Sequence, residues 1–524
     1  MDKADLDFRS FFEDTVASVP ERPYLIWTDD DSEISYEAFD AAINRAANAW
    51  LALGVRRGDR VAFMLDNSPA FMAAWLGLAK IGACLVAINT GFRHDEASYL
   101  VGDSEACLVL TSPEYLSVLA GVEHEHRTLR SVITMEASSD HNAFTEVASG
   151  SDGSPPLTTP SGDDVMSLIY TSGTTGNPKG VMQTQANFVL TGQSYPTWMG
   201  MDDGDRIYAC LPLFHINSQA YSTMGAIGAR GSIVLAPRFS ARRFWPDVRR
   251  HQVAAFNYIG AMTVILSKKD LADDDRDHSV KVAYGVPALN HDTRLALEDR
   301  FGLTIISGFG MSETTFGLAE SLNGERRPGS MGKPRHHPDP TVPKTEARIV
   351  DDDGADVAPG TTGELLLRNA AMMLGYFNDQ ARTAEALDAD GWLHTGDNAW
   401  MDEDGFFYFV DRKKDIVRRR GENISSLEVE RIIEQHPKVL EAAVIGVPSE
   451  LTDEEVLAYV LPRPDTDLQP EDVVAWCAER LAPFKTPRFV EFIAQMPKTP
   501  TSKIQKAKLR ELPPGHRYDS EAAI

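Results

Sequence analysis

The residues best suited to chemistry in this sequence lie in segment 170–180, which reads YTSGTTGNPKG. Its glycines allow a turn whose backbone N–H groups point inward, and its hydroxyl groups add further hydrogen-bond donors. Lys179 adds a cation, and this combination is typical of a loop that binds a polyphosphate. A Walker A loop is excluded, because no Gly-Lys-Ser/Thr triplet follows the glycines at the required spacing. The alternative is a polar surface loop rich in turn residues. The candidate phosphate-binding residues are Thr171, Ser172, Gly173, Thr174, Thr175, Gly176 and Lys179.

Regular secondary structure must position this loop. The apolar run 165–170 predicts a strand before it, and residues 181–190 predict the start of a helix after it. Elsewhere, short apolar runs alternate with segments of helical spacing, which predicts a parallel α/β sheet with helices on both faces. The predicted strands are 24–27, 60–65, 83–88, 107–110, 206–210, 232–236, 255–259, 280–284 and 304–307, and the predicted helices include 36–53, 69–81 and 244–251.

The pattern changes near residue 344. Apolar runs separated by Asp/Gly turns then indicate antiparallel hairpins, so residues 344–410 are predicted to form a β-rich subdomain. A chain of 524 residues is also too long for a single ordinary core. We therefore predict an N-terminal domain at 1–412, a hinge near 411–414 and a small α+β C-terminal domain at 415–524.

Composition narrows the class of protein. The chain carries 51 Lys and Arg against 77 Asp and Glu, a net charge of −26, which disfavours nucleic acid and anionic membranes as general partners. The N-terminus lacks the apolar region of a signal peptide, and no apolar run is long enough to span a membrane. Four cysteines stand outside metal or redox spacings and are predicted to be buried thiols: Cys84, Cys107, Cys210 and Cys477. These features predict a cytoplasmic enzyme.

Several further motifs carry a family resemblance that extends from about Tyr24 to Lys506. With segment 170–180 they are, in order, 212–215 (PLFH), 308–314 (GFGMSET), 391–397 (GWLHTGD), 411–414 (DRKK), 421–424 (GENI) and 500–506 (PTSKIQK). Together they resemble the adenylate-forming superfamily of acyl-CoA synthetases, luciferases and peptide-synthetase adenylation domains. Segments 214–219, 390–397, 406–412 and 420–424 are most similar to crotonobetaine/carnitine-CoA ligase-like enzymes.

This resemblance implies a fold and a reaction. The implied fold is α/β, with a large N-terminal domain of two stacked α/β sheets plus a small β-barrel, followed by a small mobile C-terminal domain. The implied enzyme is an AMP-forming acyl-CoA synthetase that uses ATP, Mg²⁺, CoA and a small carboxylic acid. The acid attacks the α-phosphate of ATP, and CoA then displaces AMP from the acyl-adenylate. The alternatives are transfer to a carrier-protein pantetheine, a luciferase-like oxidase and a silent binding protein. A homodimer is left open.

The family motifs assign roles to residues of the nucleotide site. Glu313 would bind Mg²⁺, Ser312 would touch the α-phosphate, and Asp397 would accept hydrogen bonds from the ribose hydroxyls. A helix cap is the alternative for Glu313 and a turn residue for Asp397. Phe309 would stack on adenine, although a core aromatic is equally ordinary. Other implied nucleotide contacts are Gly285, Pro287, Ser307, Gly308, Gly310 and Arg412.

The remaining implied roles concern the acid and CoA. Lys503 would clamp the carboxylate and α-phosphate as a point charge, and Lys414 would be the hinge. His215 would sit at the mouth of the acyl pocket, with a buried structural histidine as its alternative. The implied CoA contacts, for which a solvated basic face is the alternative, are Arg418, Arg419, Gly421, Glu422 and Lys485. The candidate pocket residues are His215, Asn217, Ser218, Gln219, Tyr258 and Gly260.

The acid itself is not identified by these motifs. No carboxylate lies between Phe214 and Tyr221 to balance a quaternary ammonium. We therefore expect a neutral acyl chain or a bulky polycyclic acid rather than carnitine.

Overall fold

The computed structural model describes residues 2–137, 143–171, 177–267, 271–286, 289, 291–351, 353–412, 416–449, 454–497, 504, 506–513 and 515–522, with only the backbone at 260, 261, 264, 291, 410–412, 416, 423, 427 and 507. Contacts divide the chain into two compact units. The first comprises 1–90, 100–170 and 180–411, and the second comprises 91–99, 171–179 and 412–524.

The regular elements follow the chain in alternation. The helices are Phe8–Ser18 (α1), Tyr36–Ala52 (α2), Pro69–Lys80 (α3), His94–Asp103 (α4), Val122–Glu125 (α5), Phe144–Ser149 (α6), Gln185–Met199 (α7), Met224–Gly228 (α8), Phe244–Arg250 (α9), Gly260–Ser267 (α10), His291–Phe301 (α11), Gln380–Ala386 (α12), Ser426–Glu434 (α13), Pro470–Arg480 (α14) and Lys506–Arg510 (α15). The strands are Pro23–Trp27 (β1), Ser32–Ser35 (β2), Arg60–Met64 (β3), Cys84–Ala87 (β4), Leu108–Thr111 (β5), Ser131–Thr134 (β6), Val165–Thr171 (β7), Lys179–Thr184 (β8), Arg206–Ala209 (β9), Ser232–Leu235 (β10), Ala255–Ile259 (β11), Val282–Val286 (β12), Thr304–Met311 (β13), Thr314–Ala319 (β14), Ser330–Pro334 (β15), Glu346–Val350 (β16), Gly363–Arg368 (β17), Leu393–Met401 (β18), Phe407–Arg412 (β19), Ile416–Arg419 (β20), Glu422–Ser425 (β21), Val439–Pro448 (β22), Glu454–Pro462 (β23), Phe489–Phe492 (β24) and Tyr518–Asp519 (β25).

Two sheets carry the α/β part of the chain. One has six strands in the order β6-β5-β3-β4-β7-β8, and the other has thirteen in the order β16-β17-β18-β19-β15-β14-β13-β12-β11-β9-β10-β1-β2. The pairs among β1, β10, β9, β11, β12 and β13 are parallel. The predicted α/β class is therefore confirmed, and the parallel pairing arises because helices connect successive strands.

Local signals explain where the helices begin and end. In α3 the Ser68 side chain accepts a hydrogen bond from the Phe71 N–H at 3.0 Å, and Pro69 occupies the first turn. Trp50 of α2 and Trp75 of α3 are fully buried and anchor the two helices in the core. These apolar stripes are why the helices 36–53 and 69–81 were predictable to within a residue.

One expected helix begins later than predicted. Residues 181–184 belong to strand β8, and α7 begins only at Gln185. The strand continues because its backbone pairs with a distant segment: Leu374 donates to Met182, and Met182 donates to Gly375. A tertiary partner thus overrides the local helical spacing.

The β-rich region forms one end of the thirteen-stranded sheet. Strands β16, β17 and β18 pair antiparallel, and β19 lies beside β18. This agrees with the hairpins expected across 344–410, while closure into a barrel stays a prediction.

The second unit contains its own sheet and core. Strands β22 to β25 form a four-stranded sheet, and Val429, Val444, Val456 and Cys477 belong to one buried apolar cluster. The C-terminal part is thus a separate α+β domain. Its exact boundaries stay predictions.

Candidate active site

Three predicted site residues lie side by side at the ends of parallel strands. Tyr258 on β11 is in register with Gly285 on β12, and Gly285 is in register with Ser307 on β13. A Cβ at Gly285 would lie 2.4 Å from the Tyr258 carbonyl oxygen, so only glycine fits. Ligands of open α/β sheets bind at the carboxyl ends of such strands, which makes this edge the candidate site.

Glu313 lies in the tight turn that follows these strands. Met311 of β13 pairs with Thr314 of β14, so Ser312 and Glu313 are the two turn residues of a β-hairpin. The helix-cap interpretation of Glu313 is therefore wrong, because strand pairing continues on both sides. The Glu313 side chain is buried, at 6% exposure. Its Oε1 accepts a hydrogen bond of 2.8 Å from the Tyr376 hydroxyl.

Segment 372–377 ties this turn to the strand that leaves the glycine-rich loop. The Met373 N–H donates to the Glu313 carbonyl at 2.8 Å, and the Phe377 N–H donates to the Gly180 carbonyl at 2.8 Å. From β8 itself, the Gln183 side chain donates to the Ser312 carbonyl. The turn bearing Glu313 is thus held from two directions, by the Met373 backbone N–H and by the Gln183 side chain.

The candidate acyl-pocket residues 217–219 lie in a widened helical turn. Residues Asn217–Thr223 form a π-helix, a form that often marks functional sites. Ser218 donates to the Leu211 carbonyl and Gln219 to the Leu213 carbonyl, both at 2.8 Å. These donors are therefore engaged in holding the turn. His215 is partly buried just before it, and its ring packs on Phe214 at 4.8 Å between ring centroids.

Two predicted nucleotide contacts differ in their surroundings. The Phe309 ring is buried with Leu318, Met331 and Leu365 in the core of the β-rich region. This is the environment of a core aromatic, and a role against adenine stays a prediction. Asp397 is buried on β18, and its N–H donates to the Thr395 hydroxyl at 3.1 Å. It is a strand residue rather than a turn residue.

The predicted CoA contacts lie in the second unit. Arg419 pairs with Glu422 across a two-residue hairpin turn, in which the central residues Arg420 and Gly421 both have positive φ. The Arg419 side chain is buried, 2.5 Å from the Glu455 carboxylate and 2.8 Å from that of Glu521. Burial lowers the pKa of Arg419, although Glu455 raises it.

Lys485, another predicted CoA contact, is also buried in an ionic cluster. Its Nζ lies 2.7 Å from the Glu96 carboxylate and 2.8 Å from that of Glu428. Burial lowers the pKa of Lys485, but the attraction of Glu428 and Glu96 outweighs it and raises the value overall. Both carboxylates belong to the second unit, so the positive charge of Lys485 is balanced within that unit. Arg418 is partly exposed in the same unit.

Several predicted residues lie outside the described residues: Ser172, Gly173, Thr174, Thr175, Gly176, Pro287, Lys414 and Lys503. Thr171 ends β7 and Lys179 begins β8. Gly260 begins α10 and Arg412 ends β19, each described by its backbone alone. Gly308 and Gly310 continue strand β13 beyond Ser307.

Two residues of the site were missed by sequence reasoning. Tyr376 carried no signal, since its partner Glu313 lies 63 positions away. Arg335 is buried beside the rings of Tyr284 and Tyr221. The only signal for Arg335 in the sequence was its positive charge, because segment 332–338 (GKPRHHP) is otherwise ordinary.

The arrangement suits a magnesium ion shared with a nucleotide. In the parts of the chain that the structure describes, no three His, Cys, Asp or Glu side chains gather as a metal-binding set. Glu313 offers a hydrogen-bonded carboxylate, and a hard cation completes its shell with phosphate oxygens.

Among the residues that the structure describes, every helix is too short or too polar to cross a lipid bilayer.

Three comparisons with known proteins agree. Residues 12–377 match the AMP-binding enzyme family, and residues 428–503 match the AMP-binding enzyme C-terminal domain. The chain is 34% identical over 490 residues to a crotonobetaine/carnitine–CoA ligase of Escherichia coli, covering 91% of this chain and 93% of that one. This confirms the resemblance read from the motifs.

Solved structures share the fold. A double mutant of o-succinylbenzoate CoA synthetase from Bacillus subtilis, bound to a product analogue, has a TM-score of 0.83 at 26% identity, covering 97% of this chain and 99% of that chain. An anthranilate CoA ligase in complex with anthranoyl-AMP has a TM-score of 0.71 at 27% identity, covering 96% of each chain.

Proposed function

This chain is an acid–thiol ligase of the AMP-binding enzyme family, and we propose that it converts a small carboxylic acid to its CoA thioester in two steps. In the first, a carboxylate oxygen bonds to the α-phosphorus of ATP and the bond to pyrophosphate breaks. In the second, the CoA thiolate attacks the acyl carbon, and AMP leaves. No covalent bond to the protein is needed, so the chain's task is positioning and charge neutralisation.

The observation that best supports this proposal is the construction around Glu313. The turn that carries it follows three parallel strands whose ends are lined by Gly285 and Ser307. The same turn is bound to β8, which begins at Lys179 of the glycine-rich segment. Backbone and carboxylate are therefore fixed before any ligand arrives, which is what electrostatic catalysis requires.

We assign the following roles to individual residues. Lys179 and the loop before it would hold the β- and γ-phosphates, and Asp397 would accept from the ribose hydroxyls. Glu313 would hold Mg²⁺, which supplies charge neutralisation at the phosphates when bound. Lys503 would bridge the carboxylate and the α-phosphate during the first step.

The second step needs other groups at the same nucleotide. We propose that residues 421–424 replace Lys503, which requires the second unit to turn about the hinge near 411–414. Because the Arg419 and Lys485 side chains are buried and Arg418 is partly exposed, Arg418 is the better candidate for a CoA phosphate.

The test follows each product separately. Purified protein with Mg²⁺ and ATP is offered a panel of carboxylic acids, and pyrophosphate release is measured first without CoA and then with it. We expect acid-dependent pyrophosphate, then AMP and a thioester only after CoA is added. Glu313→Gln should abolish pyrophosphate release, whereas Glu346→Gln, in an exposed pair with Arg368, should not.

The outcomes separate the alternatives. Pyrophosphate release without any thioester would favour a carrier-protein acceptor over CoA. Failure of every acid to release pyrophosphate would contradict the proposed reaction itself.

A further inference from the structure

Arg335 is a buried cation that forms no ion pair with any residue that the structure describes. It follows β15, where its backbone N–H donates to the Gly317 carbonyl at 3.0 Å, and the residue is only 4% exposed. None of its side-chain nitrogens, Nε, Nη1 or Nη2, has a hydrogen-bond partner among the described residues. The guanidinium is always charged and carries five donors. Among the residues described, none accepts a hydrogen bond from these donors.

Aromatic rings surround this guanidinium. Its carbon lies 4.2 Å from the ring centroid of Tyr284, 5.0 Å from that of Trp198 and 5.7 Å from that of Tyr221. Such cation–π contacts offset only part of the cost of removing a charge from water. A buried arginine is normally retained when a carboxylate or phosphate accepts its donors.

Two buried acidic groups of the described residues already have other partners. The Tyr221 hydroxyl donates to the Thr315 carbonyl at 2.9 Å. Burial raises the pKa of Tyr221, although Arg335 lowers it, so the phenol stays neutral. The buried Glu320 pairs with Arg294 at 2.7 Å and accepts from the Ser307 N–H at 3.0 Å. Neither group balances Arg335.

The guanidinium points at the strand of the candidate site. A Cβ placed on Gly308 would lie 2.8 Å from the Arg335 Nη2, and one placed on Gly310 would lie 3.2 Å from the Tyr221 hydroxyl oxygen. Gly308 directly follows Ser307, whose register with Gly285 defines the site. The Arg335 donors thus lie against Gly308, next to the strand ends that form the candidate site.

We propose that the acid used by this enzyme carries a second carboxylate, which Arg335 binds while the first is activated. This rests on the proposed function, since it names the substrate class of the same site. A planar carboxylate matches the fork of donors on a guanidinium. Tyr284 and Trp198 would flank the carbon skeleton between the two carboxylates. A quaternary ammonium at this place would meet a like charge, so the substrate named for the carnitine ligases does not fit here.

The test compares acids that differ only in the second carboxylate. Pyrophosphate release is measured with butanoate and butanedioate, hexanoate and hexanedioate, and benzoate and terephthalate. We expect kcat/KM for at least one diacid to exceed that of its monoacid by about 100-fold or more, since a site built for a polar group rejects analogues that lack it. Equal or better use of every monoacid would overturn the inference.

Variants assign the preference to one residue. Arg335→Leu should lose the preference for the diacid over its monoacid, and Arg335→Lys should restore part of it. Removing an unpaired buried charge should not unfold the protein, which a melting curve checks. Arg480→Leu is the matched control, because Arg480 stacks on Trp476 at 3.4 Å in the second unit and should leave the preference intact.

A binding measurement separates this inference from the proposed reaction. If no acid supports pyrophosphate release, the proposed reaction fails, but binding still decides the role of Arg335. Hexanedioate should then raise the melting temperature of the wild-type protein and leave that of Arg335→Leu unchanged. Equal shifts in the two proteins, or no shift in either, would overturn the inference.

Discussion

Replacing Tyr376 by phenylalanine removes one hydroxyl group from the candidate active site. That hydroxyl donates to Glu313 Oε1 at 2.8 Å, and both side chains are buried. A hydrogen bond to a charged group contributes about 1.5–3 kcal/mol, and a carboxylate left without its donor is penalised further. If Glu313 must keep its orientation while phosphate charge develops, this loss appears in the transition state. We therefore expect kcat/KM for pyrophosphate release to fall by about 10- to 100-fold.

The assay pairs initial rates of acid-dependent pyrophosphate release with a melting curve of the same sample. Burial and the adjacent Glu313 raise the pKa of Tyr376, so its hydroxyl stays protonated at neutral pH. The ratio of wild-type to variant activity should therefore be constant from about pH 6 to about pH 9. A ratio that changes across this range would mean that another titrating group controls the effect.

Tyr208→Phe is the matched control for this variant. The Tyr208 hydroxyl donates to the Asp247 carboxylate at 3.3 Å, far along the sheet from Glu313. This variant should lose some melting temperature and keep its activity. If Tyr376→Phe behaves in the same way, losing stability alone, then Glu313 does not act on the nucleotide and the assignment of the site is refuted.

Three further perturbations test other parts of the chain. Lys503→Ala should abolish pyrophosphate release yet spare thioester formation from supplied acyl-adenylate, and an equal fall in both would contradict its role. Lys485→Ala should lower the free energy of unfolding by about 3–5 kcal/mol in denaturant titrations, because Glu96 and Glu428 lose their buried partner; an unchanged midpoint would show the cluster to be unimportant for folding. Burial raises the pKa of Cys84, Cys210 and Cys477 from 9.0 to about 12, so the folded state holds protons that the unfolded state releases above about pH 9. Stability should then fall by about 1.4 kcal/mol per pH unit for each thiol as pH rises from about 9 toward about 12, and a flat melting temperature in that range would contradict this.

The elements of the fold were predictable where local signals coincide. Strands such as Arg60–Met64 have a continuous apolar pattern, and in helices such as Pro69–Lys80 the apolar pattern, the cap and the glycine after the last turn all agree. The beginning of α7 was not predictable, because residues 181–184 are held as a strand by segment 372–377. The prediction that Cys107 is buried was also wrong, because it is only partly buried while the other three cysteines are buried.

The same distinction between local signals and distant partners applies to the candidate site. Glu313 and Ser307 could be proposed from the sequence because motif 308–314 contains Glu313 and directly follows Ser307. Their positions then follow from the parallel register of β11, β12 and β13. Tyr376 could not be identified, because a lone tyrosine has the same sequence signature whether it braces a carboxylate or fills a core.

Arg335 and its surroundings explain why family membership does not name the acid. Trp198, Tyr221, Tyr284 and Arg335 come from α7, the π-helical turn, β12 and the residue after β15, and they meet only through the pairing of distant strands. The nucleotide site can be shared across the family because ATP is the same in every member, so its motifs stay contiguous. In our proposal, the acyl pocket is assembled from single residues, and Arg335 decides the charge of the acid that fits. Sequence identity of 34% to a crotonobetaine/carnitine–CoA ligase therefore shows the family, whereas we expect the substrate to be decided by side chains that the motifs do not contain.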